Sequence, residues 1–168
     1  TLQGLASDTT IDGFTTTIAA TATSIPFGIL IPGVSKIGAQ RLTVSQDGEG
    51  YIVYIKSDGQ LRSGPILIDP VSGTNANPST WGFGANSQTG ITVAFGYHPD
   101  DNVLSGSSTR FKNNDTWAQL ETTRREILST DGPVANDVHD VLFQVEIGPL
   151  QPEGTYSTTI QYIVAPTF

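Results

Sequence analysis

Two histidines each stand beside aspartates. His98 lies in Tyr97-His98-Pro99-Asp100-Asp101, and His139 lies in Asp137-Val138-His139-Asp140. An aspartate that orients an imidazole is two thirds of a Ser/His/Asp triad. No G-x-S-x-G nucleophile elbow accompanies either histidine. With 16 Asp and Glu against 8 Lys and Arg, His–Asp neighbours arise without any catalytic purpose. The expectation is therefore a loop histidine at 98, a strand-flanking histidine at 139, and no enzyme. Carboxylate pairs at Asp100-Asp101 and Asp47/Glu49 could serve glycoside hydrolysis. Both sit in turn-like stretches, where Asp supports the turn itself.

Calcium is the one cofactor that these loops admit, because it takes several carboxylate, amide and carbonyl oxygens from one loop. Asp100, Asp101 and Asn102 are the first candidates, with Asn113, Asn114 and Asp115 second; neither set has EF-hand spacing. Gly82-Phe83-Gly84 lacks the third glycine of a dinucleotide fingerprint. Trp81, Phe83, Phe95, Tyr97 and Trp117 could form a platform for a glycan, although such rings more often pack in a core. Asn114-Asp115-Thr116 is a glycosylation sequon at Asn114, whereas proline blocks Asn77-Pro78-Ser79.

The composition narrows the function classes. The net charge of -8 repels phosphate backbones and anionic lipid, so nucleic acid is not an expected partner. No apolar run approaches the roughly 18 residues of a membrane span; the longest, near Ile25–Val34, is interrupted by Pro26, Gly28, Pro32 and Gly33. Charged residues make up only 14%, well under the usual quarter or so. The polar surface must come largely from Thr, Ser, Asn and Gln. The 22 threonines favour strands and the 18 glycines punctuate turns. Cys and Met are absent, which excludes a disulfide framework and suits an exposed protein without oxidisable sulfur. The chain opens on Thr1, consistent with signal-peptide removal and an extracellular or cell-surface location.

The elements that must position these residues read as strands. Alternation predicts strands over Phe14–Ala22, Ile25–Ile31, Arg41–Ser45, Tyr51–Ile55, Pro65–Asp69 and Ile91–Tyr97. Ser57-Asp58-Gly59 reads as a hairpin turn. Arg110–Leu120 is ambiguous: Thr116 with Gln119 fits a capping box, and a strand over Arg124–Leu128 fits equally. Val141–Ile147 and Tyr156–Val164 alternate most clearly and predict an antiparallel hairpin. About nine to eleven short strands without a βαβ rhythm predict one all-β domain over residues 1–168. The expected architecture is an antiparallel sandwich of immunoglobulin-like or jelly-roll type with little or no helix.

Ile25-Pro26-Phe27-Gly28-Ile29-Leu30-Ile31-Pro32-Gly33, Leu42-Thr43-Val44-Ser45, Gly50-Tyr51-Ile52-Val53 and Gly154-Thr155-Tyr156-Ser157-Thr158-Thr159-Ile160-Gln161-Tyr162 together resemble segments of secreted prokaryotic surface β-sandwich proteins. The ending resembles spore-coat-U-like pilins of chaperone–usher fibres and WxL-type cell-wall proteins. The chain departs from them in lacking both a disulfide and a Trp-x-Leu pair. The resemblance implies a fibre, pilus or surface-layer subunit, with a monomeric module that binds carbohydrate or the cell wall as the alternative. It also implies assembly with other copies by strand complementation, in which a strand of one copy completes the sheet of the next. Thr1–Ile11 is the candidate donor, with Leu2, Leu5, Ser7, Thr9 and Ile11 as the contact residues. An ordinary first strand or a loose tail is the competing reading.

Overall fold

The computed structural model describes residues 1–82, 93–111 and 116–168. Among the described residues are thirteen strands, one 3-10 turn at Ser105–Ser107 and no α-helix. The strands are β1 (Leu2–Gly4), β2 (Thr10–Ile11), β3 (Phe14–Thr15), β4 (Lys36–Gln46), β5 (Gly50–Ser57), β6 (Arg62–Ser63), β7 (Ile66–Leu67), β8 (Ala94–Pro99), β9 (Val103–Leu104), β10 (Ser108–Thr109), β11 (Arg125–Asp131), β12 (Val134–Glu146) and β13 (Ile160–Pro166). A four-stranded sheet in the order β1-β4-β12-β8 packs on a three-stranded sheet in the order β11-β5-β13. Every pairing in both sheets is antiparallel. The expected all-β sandwich is the observed fold.

Alternation explains which side chains meet. Leu42 and Val44 of β4, Val141, Phe143 and Val145 of β12, and Phe95 and Tyr97 of β8 point between the sheets. Tyr51, Val53 and Ile55 of β5 and Ile127 and Leu128 of β11 meet them from the other sheet. Each such side chain contributes roughly 1.5–3 kcal/mol by leaving water. The opposite face of the four-stranded sheet is also apolar. Ala39, Ala94 and Leu142 lie there under Leu5, Ile11, Phe14, Val71 and Trp117. Sandwiched between two apolar layers, β8 is buried along its whole length.

Residues 1–31 supply much of the outer layer and one end of the inner one. β1 pairs with β4 through Leu2↔Leu42 and Gly4↔Gln40. β2 and β3 form a two-residue ladder around the Asp12-Gly13 turn, where both residues have positive φ. Thr16, almost fully buried, organises this hairpin. Its Oγ1 donates to Ala6 O at 2.7 Å and accepts from the Thr9 amide at 2.9 Å. The chain then crosses β1: a Cβ on Gly4 would sit 2.2 Å from backbone atoms of Ala20, so only glycine fits there.

Five local expectations give way. Phe14–Ala22 is strand only at Phe14–Thr15. Ile25–Ile31 alternates but is not a strand. Pro26 removes a donor, Gly28 turns at φ 64°, and Ile25, Phe27 and Leu30 pack against the inner core. The clear runs near the C-terminus do not pair with each other: β12 lies between β4 and β8, and β13 lies beside β5 in the other sheet. The turns at 47–49 and 131–133 likewise carry the chain from one sheet to the other, and Gly132 N donates to Glu49 O at 2.8 Å. Ser57-Asp58-Gly59 leads out of β5 to the small β6–β7 ladder rather than closing a hairpin. The capping box at Thr116 does not form a helix; Trp117 and Ala118 make isolated bridges to Ser79 and Tyr97. Ile91 and Thr92, the start of one expected strand, lie outside the described residues.

Candidate functional site

His139 projects from β12 at the rim of the space between the sheets. Its Nδ1 is 3.1 Å from Asp100 Oδ1, and its Nε2 is 3.4 Å from Asp137 Oδ1. Tyr51 OH donates to the other oxygen of Asp137 at 2.8 Å. Burial works against the charged imidazole. The hydrogen bond to Asp100 and the fields of Asp100, Asp137 and Asp101 outweigh it and hold His139 above its usual value. Both ring nitrogens thus face carboxylates, an arrangement suited to holding a positive charge rather than activating a hydroxyl.

The neighbouring acids are engaged by the protein's own donors. Asp100 Oδ2 accepts from the Asp140 amide at 2.8 Å. Asp101 accepts from the amides of Val103 and Ser129, each at 3.0 Å. Burial pushes the Asp101 carboxyl up against those two bonds. The loop at Asp100, Asp101 and Asn102, the first calcium candidate, therefore does not present its carboxylates to a common centre. Among the described residues no group of three or more His, Cys, Asp or Glu is gathered to hold a metal ion. Asp100 and Asp101 fix the loop through these bonds. Asn113, Asn114 and Asp115, including the sequon asparagine Asn114, lie outside the described residues. Asp47 and Glu49 are exposed in the turn between β4 and β5.

His98 is not the expected loop residue but a fully buried strand residue. Its ring contacts Phe14, Phe111 and Trp117 with centroids 5.3–5.9 Å apart. The aromatic residues offered as a glycan platform are mostly interior: Phe95, Tyr97 and Trp117 are buried. Trp81 is half-buried, stacks edge-on against Trp117 and donates from Nε1 to Glu146 at 3.1 Å. Phe83 is outside the described residues.

The open side of the sandwich is different in kind. A groove of ≈ 480 Å³ runs between the edges of the two sheets, lined by Leu2, Leu42, Val44, Ile160, Tyr162 and Val164 among others. Val164 remains 50% exposed although it shares the inward face of β13 with Ile160 and Tyr162. Among the described residues β13 has a strand partner on one side only, β5. Asp58 N donates to Thr159 O, and Thr167 N to Gly50 O. By that parity the odd residues of β13 bond to β5, and the amides and carbonyls of Ile160, Tyr162 and Val164 point away from the sheet. Pro166, which has no amide to offer, ends the strand on the same register.

The sequence-derived donor segment borders this groove only at Thr1 and Leu2. The segment is bent at Asp8, with φ 62°. Leu5 and Ile11 are buried in the outer layer of their own chain, Ser7 is exposed, Thr9 is half-buried and Leu2 is 37% exposed. The single extended face expected for Leu5, Ser7, Thr9 and Ile11 is therefore not present in the lone chain. Sequence reasoning set Asp137 beside His139 but missed the partners Tyr51 and Asp12. Asp12 lies 86 residues from His98, and Tyr51 lies 86 residues from Asp137, so no local spacing links either pair.

No protein-family model matches this sequence, and no curated protein or solved structure matches it. The fold defines the chain as an antiparallel β-sandwich in which β13 ends one sheet among the described residues; no narrower family is shown.

Proposed function

We propose that the protein is a structural subunit of an extracellular filament, pilus or surface layer, joined to further copies by β-strand complementation. The observation that carries this reading is the free edge of β13 beside a partly apolar groove. An extended strand laid there would bond to the outward amides and carbonyls of Ile160, Tyr162 and Val164. Its alternate side chains would cover Val44, Leu42 and Val164. A free edge of this length is ordinarily blunted or covered, because it pairs indiscriminately. The donor is Thr1–Ile11, held in its own chain by the three-residue β1 ladder and the β2–β3 hairpin. Passing head to tail between copies, such a strand builds an open filament. Secretion to the cell surface belongs to the same proposal, resting on the sulfur-free, Thr-rich composition.

The test is a reversible lock. Leu2 and Leu42 are directly opposite at a non-hydrogen-bonded position, the closer of the two antiparallel spacings. That spacing, about 4.5 Å between Cα atoms, lies within the range a disulfide spans. A Leu2→Cys/Leu42→Cys double variant should stay monomeric when oxidised. On reduction it should form filaments in negative stain and detergent-resistant ladders on a gel. Filaments from the oxidised form would remove Thr1–Ile11 as the donor, and monomers under every condition would remove the assembly role.

A further inference from the structure

The outer face of the three-stranded sheet is not built like that of the four-stranded one. β5 alternates, so Tyr51, Val53 and Ile55 turn inward and Ile52, Tyr54 and Lys56 turn outward. The register with β13 sets Ile163 beside Tyr54, Ala165 beside Ile52 and Gln161 beside Lys56. Ile52, Tyr54 and Ile163 are half-buried, and neither described apolar core takes them in. The N-terminal segment, which covers the other sheet, packs its apolar side chains there instead.

Two cations frame this apolar patch. The Arg124 guanidinium lies 5.0 Å from the centroid of the Tyr54 ring, and Arg124 is exposed. Lys56 stands two residues beyond Tyr54 on the same face of β5. Glu126, opposite Tyr54 on β11, accepts from Ser105 N and Oγ, each at 2.6 Å. Glu121 holds Arg125 at 2.6 Å. An apolar patch that carries Lys56 and Arg124 is complementary to an acidic partner, and a chain of net charge -8 is itself such a partner.

The acids suited to this face lie at the far end of the same sheet. The turns at 47–49 and 131–133 run side by side, joined by the bond from Gly132 N to Glu49 O at 2.8 Å. Asp47, Glu49 and Asp131 are exposed there, and no ion pair among the described residues includes them. β5 leaves these turns at Gly50 and reaches Lys56 after about six extended residues, or roughly 20 Å. The acids and the cations therefore cannot meet within one copy. They can meet between copies, turn against sheet face. Such a contact joins two different patches and repeats head to tail.

We infer that the outward face around Tyr54 is a docking surface for the acidic turn pair of a second copy. This rests on the reading that the protein assembles with its own kind, and it adds a second contact: the turns of one copy orient it on the next before a strand passes between them. Exposed ion pairs are individually weak, so this contact alone leaves dilute chains monomeric.

The oxidised Leu2→Cys/Leu42→Cys chain isolates the contact, because its first strand cannot leave. Its amide NMR shifts should be followed as the protein is concentrated to about 1 mM, where weak contacts become populated. At about 0.01 M salt the shifts should move at Tyr54, Ile163, Gly48 and Gly132. At about 1 M salt, where charges act over only about 3 Å, the apparent affinity should fall by about tenfold or more. Lys56→Glu/Arg124→Glu in this background should lose the contact, and so should Asp47→Lys/Glu49→Lys. An equimolar mixture of the two variants should restore it, because an acidic face then meets a basic turn and a basic face meets an acidic turn. Absent shifts, shifts that map elsewhere, indifference to salt, or a mixture that fails to associate overturns the docking surface. Filament growth is scored separately on the reduced chain. Filaments without docking shifts keep strand exchange and refute this surface. Docking shifts without filaments keep the surface and refute strand exchange.

Discussion

The two faces of the four-stranded sheet are both apolar, yet they are sealed in different ways. The inner face meets a second sheet, and both sheets are held by long ladders: β12 is registered with β4 over Val134–Val145, and β5 with both β11 and β13. The outer face is closed by a terminal segment whose ladders run for two or three residues, by loop residues such as Val71, and by Trp117. Equal apolarity therefore does not mean equal permanence. Opening the inner layer requires breaking two sheets apart, whereas opening the outer one requires a short hairpin to lift.

The sharpest contrast should come from truncating one residue on each face. Phe143→Ala empties a fully buried inner site and should destabilise the whole protein by about 3–5 kcal/mol in denaturant unfolding. Ile11→Ala should instead raise hydrogen exchange selectively in residues 1–16. Its shift of the global midpoint should be smaller than that of Phe143→Ala, because local opening of the hairpin absorbs part of the roughly 2–5 kcal/mol that such a truncation costs. Equal global losses would erase the distinction between the two seals. Next in size, Gly4→Val forces a side chain into the Ala20 backbone. It should detach β1, exposing residues 1–16 to protease while β5 and β12 keep their exchange protection. Loss of protection everywhere would show that the outer seal is part of the global fold.

The third prediction concerns the rim of the inner layer. His139 has a folded value raised above 6.5 by Asp100, Asp137 and Asp101 despite its burial. A raised histidine contributes stability that is fully present below the unfolded value and is lost as pH rises through the folded one. Denaturant midpoints of the native protein should therefore decline from about pH 6.5 upward. In His139→Gln that part of the decline should disappear, whereas the exchange behaviour of residues 1–16 should be unchanged. The smallest effect is expected from Tyr51→Phe, which removes one hydrogen bond to the partly exposed Asp137 and should cost about 0.5–1.5 kcal/mol.

How much of this was legible follows from what each feature depends on. β4, β5, β12 and β13 show in the sequence because a half-buried strand must alternate, and each lies between a core and water or between two cores. Ile25–Ile31 alternates equally well, but its prolines and the Gly28 turn bar a ladder, and its side chains plug the sandwich end instead. Turn chemistry marked Asp12-Gly13, Asp131-Gly132 and Gly148-Pro149 correctly as breaks. It could not say whether the chain returns beside itself or crosses to the other sheet, because that choice is made by distant partners. The same reason hides the sites: His98 and Asp12 are 86 residues apart, as are Tyr51 and Asp137. Only the fold brings them together.

The crossings between sheets also bear on how the molecule is made. Leu42 finds His139, and Ser57 finds Ile160, across roughly a hundred residues of intervening chain. Loop-closure entropy must be met before any such ladder returns energy, so refolding is expected in the millisecond-to-second range typical of β topologies. During that interval β5 has neither neighbour until β11 and β13 have emerged and docked. A nascent chain is then a row of open edges, and its safe arrival depends on how quickly its last seven-residue strand is captured.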